Sequence, residues 1–119
     1  MVRPAFELEY VDDVAVLRLL GEHDLANVHE IRERLGLLAD GGFPVVVDVS
    51  ETEFMDVAVL RALLEGGVTL RARGRALVVH TGTPCLVQRL LDVAGSDLDC
   101  VDDRQNAIKR ARQRSRTEP

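Results

Sequence analysis

The side chains able to do chemistry are few, and their spacing decides against most reactions. His23, His29 and His80 form no pattern that would place two of them beside one metal ion. Gly21-Glu22-His23-Asp24 and Asp40-Gly41-Gly42 lack the GxGxxG or GxxxxGK[ST] spacing with which backbone amides cradle phosphate. No serine stands in a nucleophile elbow, and no Ser–His–Asp set is suggested. His80 sits near a strand's end among apolar residues, where a histidine reads as a structural group. Cys85 lies near a helix start, whose dipole can lower a thiol pKa, and Cys100 lies on the next strand. Two cysteines are too few for a disulfide framework or a cysteine-built zinc site, so they read as small core residues in a reducing compartment. The expectation is a protein with no catalytic residues, no metal site and no cofactor.

Two aspartates remain. Asp24 follows the second strand and Asp56 the third, at the strand ends where α/β sheets place their functional loops. Asp56 also reads as the N-cap of a helix starting at Val57.

The elements that must position these residues follow from periodicity. Ala5–Tyr10 alternates apolar and polar residues, and Val14–Leu20 is a second strand, joined to the first by Asp12-Asp13 as an antiparallel hairpin. Asn27 with Glu30 three residues on resembles a capping box, and Val28, Ile31, Leu35 and Leu38 follow at helical spacing until Gly41-Gly42. Phe43–Val49 is a near-continuous β-branched run, the mark of a strand covered on both faces. The helix from Val57 repeats apolar residues at Leu60, Leu63, Leu64 and Val68. Val57, Leu60 and Leu64 share a face, part of which must be core. Val57 and Val59 cannot share one, so at least one of them, or Ala58, should be exposed. Gly66-Gly67 predicts a bend or close packing within it. Arg75–Thr81 is another buried strand. Thr83-Pro84 opens a third helix that Gly95 ends, and Leu98–Val101 is a short strand before a last helix capped by Asp102 or Asp103. The predicted fold class is α/β, a mixed sheet in the order β-β-α-β-α-β-α-β-α. Residues 1–112 are expected to form a single domain and 113–119 a polar tail.

Composition narrows the class of function. A chain of 119 residues with 46% hydrophobic and 29% charged residues can bury a core, which excludes disorder throughout. No apolar run is long enough to span a membrane, and the N-terminal residues lack the apolar core of a secretion signal, so a cytoplasmic protein is expected. Aromatic residues are 3% with no Trp, which argues against base stacking. The net charge is −5, although Lys109, Arg110, Arg112, Arg114 and Arg116 stand near the end against Glu118 alone. The rest of the chain is therefore more acidic still and would repel a phosphate backbone. The basic tail reads as a solvated helix end whose cations complement the helix dipole.

In combination, Gly21-Glu22-His23-Asp24-Leu25, Val46-Val47-Asp48-Val49-Ser50 and Glu53-Phe54-Met55-Asp56 resemble the STAS domain of anti-sigma factor antagonists. In that family a G-E-x-D-x turn follows the hairpin, and a V-V-x-D-L-S strand runs into F-[IM]-D-S-S-G-L. Arg73–Val79 resembles the family's R-G-x-x-L-x-[LV] strand. Pro84, Val87, Leu90, Leu91 and Gly95 match its P-x-V-x-R-[LV]-L-x-x-x-G helix. The resemblance extends over about residues 5–111, with order and spacing in agreement.

The departure from the family pattern is at D-S-S-G-L, where this chain has Asp56-Val57-Ala58-Val59-Leu60. The family's phosphorylated serine aligns with Val57, so the chain has no phosphoacceptor there. Ser50 and Thr52 are near in sequence without aligning. The resemblance implies a non-enzymatic domain that docks onto a kinase-type anti-sigma factor. Asp24, Met55, Asp56, Val57, Ala58 and Val59 are the expected contact residues, the carboxylates giving polar register and the small apolar step desolvated contact. Two alternatives stand beside it. One is an accessory subunit of a lipid-transport ABC system; the other is a sensor of a nucleotide or other small ligand near Asp24.

Overall fold

The structure, a computed structural model, describes residues 4–82, 86–93 and 98–115. The predicted features at Thr83, Pro84, Cys85 and Gly95, and the last four residues of the tail, lie outside them. Strands β1 (Phe6–Val11) and β2 (Val14–Leu19) form the expected hairpin, in a register running from Phe6↔Leu19 to Val11↔Val14. Its two-residue turn needs a left-handed first residue, and Asp12 supplies it at φ 56°. Short carboxylate side chains tolerate that conformation better than most.

After the hairpin come β3 (Gly21–His23), α1 (Val28–Gly41), β4 (Val45–Asp48), β5 (Thr52–Met55) and α2 (Val57–Ala72). The chain continues through β6 (Leu77–His80), α3 (Leu86–Val93), β7 (Asp99–Val101) and α4 (Arg104–Arg114). The main sheet has the order β1-β2-β4-β6-β7, with every pair parallel except the hairpin. Two strands depart from the predicted order: β3 and β5, expected as turn and loop, pair in parallel as a second small sheet.

The apolar strands are central for a reason visible in their alternation. Ala15, Leu17, Leu19, Val45, Val47, Val49, Leu77 and Val79 face one core together with α1, α2 and α3. Val14, Val16, Val46 and Val78 face the other, against Ala107, Ile108 and Ala111 of α4. Both faces of β2, β4 and β6 are therefore dry, which is why these strands read as continuous apolar runs. The arginines of α4 are more than a solvated end. Arg110 and Arg114 meet Asp99 at 2.7 and 3.2 Å, and Arg112 reaches Asp12 and Asp13 in the hairpin turn at 3.1 Å each.

Helix α2 runs unbroken through Gly66-Gly67, so the alternative of close packing prevails over a bend. A Cβ at Gly66 would come within 2.9 Å of Leu35 Cδ1, whereas one at Gly67 would meet nothing within 4 Å. Gly67→Ala should therefore stabilise the protein by up to about 1 kcal/mol through helix propensity and unfolded-state entropy. Gly66→Ala should forfeit that gain to the crowding of Leu35. Urea unfolding of the two variants checks the contrast.

Candidate functional site

The second sheet brings the loop after β2 to the start of α2. Gly21 N–H donates to Glu51 O at 3.2 Å, and His23 pairs with Met55. Thr52 Oγ1 donates to Leu19 O at 2.7 Å, tying β5 to the end of the hairpin. The next link carries the site: Asp56 N–H donates to His23 O at 3.0 Å. Asp24-Leu25 and Asp56-Val57 are thereby held side by side.

His23 is fully buried and has both ring nitrogens engaged. Nε2 lies 3.1 Å from Leu20 O, a carbonyl that can only accept, so Nε2 carries the proton. Nδ1 then accepts from Asn27 Nδ2 at 2.9 Å. The other end of that amide, Asn27 Oδ1, accepts from Asp24 N–H at 2.9 Å, while Asp24 Oδ1 accepts from Ala26 N–H at 2.9 Å. Burial pushes the imidazole pKa below 6.5, against the opposing pull of the Leu20 and Ala5 carbonyls and of Asp24 and Glu30. The predicted capping box is absent, because Asn27 turns back to His23 and Asp24, and Glu30 pairs with Arg34 at 2.8 Å.

Asp56 caps α2 as expected, its carboxylate accepting from Ala58 N–H at 3.0 Å. Val59, Leu60, Leu63 and Leu70 set the inward phase of the helix. Val57 is 57% exposed, and Ala58 is half-buried. The face shared by Val57, Leu60 and Leu64 is core only in part, as expected, with Leu60 buried and Val57 outside; Val68, from the same apolar repeat, is exposed.

Of the six expected contact residues, Asp24, Asp56, Val57 and Ala58 reach one surface. Met55 and Val59 do not. Met55 faces inward because β5 alternates, and Val59 follows the inner phase of α2; both belong to the core. Exposed Leu25 and Phe54 were missed by the sequence reasoning. Their signal was a large apolar residue beside charged neighbours in segments too short to show a period.

Other reactive side chains are engaged elsewhere. Arg18 pairs with Glu7, Asp48 and Glu51. Ser50 donates its hydroxyl to Asp48 Oδ1 at 2.6 Å, and His80 Nδ1 lies 3.2 Å from the same oxygen without hydrogen-bonding alignment. No hydrogen bond joins Ser50 to His80 among the described residues, so this trio lacks the serine–imidazole contact of a hydrolase. Burial, then Asp99 and Asp92, pushes the Cys100 thiol up to about 11, the reverse of an activated thiolate. Among the described residues no group of His, Cys, Asp or Glu could hold a metal ion, and no helix is long and apolar enough to cross a membrane.

Because folding favours neutral His23, stability should be complete above about pH 6.5, where the unfolded imidazole is neutral too. It should fall as pH drops below that value toward the lowered folded pKa. His23→Phe should cost about 1–3 kcal/mol at pH 7 by orphaning Leu20 O and the Asn27 amide. The variant should also lose this component of the pH dependence. Urea unfolding of both proteins at pH 7 and pH 5.5 checks magnitude and sign.

No curated protein sequence matches the chain. Solved structures do. The anti-sigma factor antagonist SpoIIAA of Bacillus, in its unphosphorylated form, is 26% identical, with 91% of this chain and 98% of that one covered and a TM-score of 0.72. An anti-sigma factor antagonist from Mycobacterium paratuberculosis is 22% identical, over 90% of this chain and 92% of that one, with a TM-score of 0.77. RsbS of Moorella thermoacetica is 23% identical, over 96% of this chain and 100% of its own, with a TM-score of 0.74. These three share the mixed sheet and helix order described above. A family model described as "Mlab, STAS domain" matches residues 6–99. That match takes in most of the sequence, both small strands and the whole of α2, and the chain therefore belongs to the STAS domain family.

Proposed function

We propose that the chain is a non-enzymatic bacterial regulatory domain, acting in the cytoplasm, that docks onto a kinase-type anti-sigma factor through the start of α2. The observation that carries this reading is Val57: an apolar side chain, 57% exposed, in the first turn of a helix whose cap, Asp56, is bonded to the loop bearing Asp24. Leu25, Phe54 and Ala58 extend the apolar area, and Asp24 and Asp56 supply polar register. The likeness to anti-sigma factor antagonists supports the class of partner.

On this reading the domain is blind to phosphorylation. Val57 occupies the position of the family's acceptor serine and has no hydroxyl. The nearby hydroxyls are poor substitutes, since Ser50 is bound to Asp48 and Thr52 is buried against Leu19 O. The domain would stay permanently in its binding form.

A second reading, implied by the same family resemblance, is an accessory subunit of a lipid-transport ABC system. A photo-crosslinking residue placed at Val57 in the source organism separates the two. Capture of a kinase-type anti-sigma factor supports the first reading, and capture of an ABC transporter subunit replaces it with the second.

With the captured partner in hand, Val57→Asp should weaken binding by about 2–5 kcal/mol, because it buries an unmatched charge beside Asp56. The exposed site should leave fold stability within about 0.5 kcal/mol. Unchanged affinity in a folded variant would remove the α2 surface from the interface. Incubation with ATP and the kinase should leave the chain unmodified; stoichiometric phosphate on Ser50 or Thr52 would overturn the phosphorylation-blind reading.

A further inference from the structure

A groove of about 540 Å³, a volume within the range of ligand-binding pockets, opens at the far end of α2 from Val57. One stripe of α2 forms its wall: Leu64, Gly67 and Val68 recur at helical spacing and lead to Arg71 in the last turn. Leu77 of β6 and half-buried Leu98, just before β7, complete the apolar part. Gly67 keeps the wall open, because a Cβ there would meet nothing within 4 Å, and Val68 is 64% exposed. The stripe runs about 10 Å from Leu64 to Arg71, the reach of one medium-length hydrocarbon chain.

The rest of the lining is cationic, with Arg71, Arg75 and Arg114 set against the single carboxylate of Asp99. Arg71 has no carboxylate partner among the described residues. Arg75 donates only to the Gly42 and Arg73 carbonyls, at 2.6 and 3.3 Å. Asp99 is divided between Arg110 at 2.7 Å and Arg114 at 3.2 Å, so two cations share one negative charge. The acids closest to Arg71 and Arg75 in α1 and α2 are taken up elsewhere, Asp40 by Arg73 and Glu65 by Arg32. A cation in the last turn complements the helix dipole, which accounts for Arg71 but not for the apolar row that leads to it.

An apolar row ending in unmatched guanidinium groups is complementary to a molecule with a hydrocarbon tail and an anionic head. The planar fork of arginine fits carboxylate or phosphate oxygens, and a single stripe gives a bed for one tail. We infer that this groove binds a single-tailed anionic amphiphile, a carboxylate or phosphate monoester on a medium-length chain. Its tail would lie along Leu64, Gly67 and Val68, with its head among the arginines. The site stands about 20 Å along α2 from Val57 and is independent of the docking surface there.

The probes are decanoate and decyl phosphate, each below its micelle concentration. Backbone NMR of the full chain should show saturable shifts of the Gly67, Val68, Arg71 and Leu98 amides with both, and calorimetry a one-to-one complex. Decyltrimethylammonium should bind about tenfold more weakly, since it cannot accept from the guanidinium groups, and acetate should leave these amides unmoved. Gly67→Leu fills the groove from a position with free space, and should abolish binding while the fold stands. Exposed Arg71→Gln should weaken decanoate about fivefold and leave decanol unchanged, which separates the charge from the apolar contact. No saturable binding of decanoate or decyl phosphate, equal binding of the ammonium, full binding by a folded Gly67→Leu variant, or shifts confined to other residues would overturn the proposal. So would shifts from vesicles of phosphatidylcholine and phosphatidic acid that neither soluble probe reproduces, which would assign the patch to a membrane surface.

Discussion

A neutral imidazole sealed inside the protein organises the end of the molecule where α1 and α2 begin. His23 donates to Leu20 O, accepts from Asn27 Nδ2, and offers its own carbonyl to Asp56 N–H. One residue thus ties the end of the hairpin, the entry to α1 and the entry to α2 together. A charged imidazole would need a second acceptor where Asn27 presents a donor, so the arrangement depends on the ring staying neutral. Burial against the edge of Phe6, at 5.2 Å between ring centroids, supplies the desolvation that keeps it so. Asp24 is then fixed through the Asn27 amide.

The same economy runs through the sheet. Alternation on β2, β4 and β6 sends odd-numbered side chains to α1, α2 and α3 and even-numbered ones to α4, and the alternation stays apolar until each strand reaches its carboxyl end. There the even positions turn polar together, and Arg18, Asp48 and His80 face each other across the register. Polar groups collect where the helices no longer cover the strands, and functional loops leave from that same end. The surface at the start of α2 is therefore positioned by the core.

Long periodic segments were legible in the sequence, and short ones were not. Val28, Ile31, Leu35 and Leu38 face the core as their spacing implied, and the β-branched run at Val45–Asp48 is central. Gly21–His23 and Thr52–Met55 were unreadable as strands, since three or four residues show no period and their pairing partners are distant in the chain. For the same reason His23 looked like an unattached histidine, its role being created by Leu20 and Asn27 through a turn the periodicity does not encode. Asp56 was legible, because a cap is a local device. The phase of α2 was legible in part: the spacing put at least one of Val57, Ala58 and Val59 outside, and packing decides that it is Val57.

Nitrogen NMR of the His23 ring across pH 8 to 5 tests most directly whether a neutral imidazole holds this end of the protein together. The hydrogen bonds predict the Nε2–H tautomer throughout the neutral range, with half-protonation below pH 6.5 and simultaneous shifts of the Asp24 and Asn27 backbone amides as the proton arrives. An Nδ1–H tautomer, a midpoint at or above 6.5, or protonation that leaves Asp24 and Asn27 unmoved would contradict it.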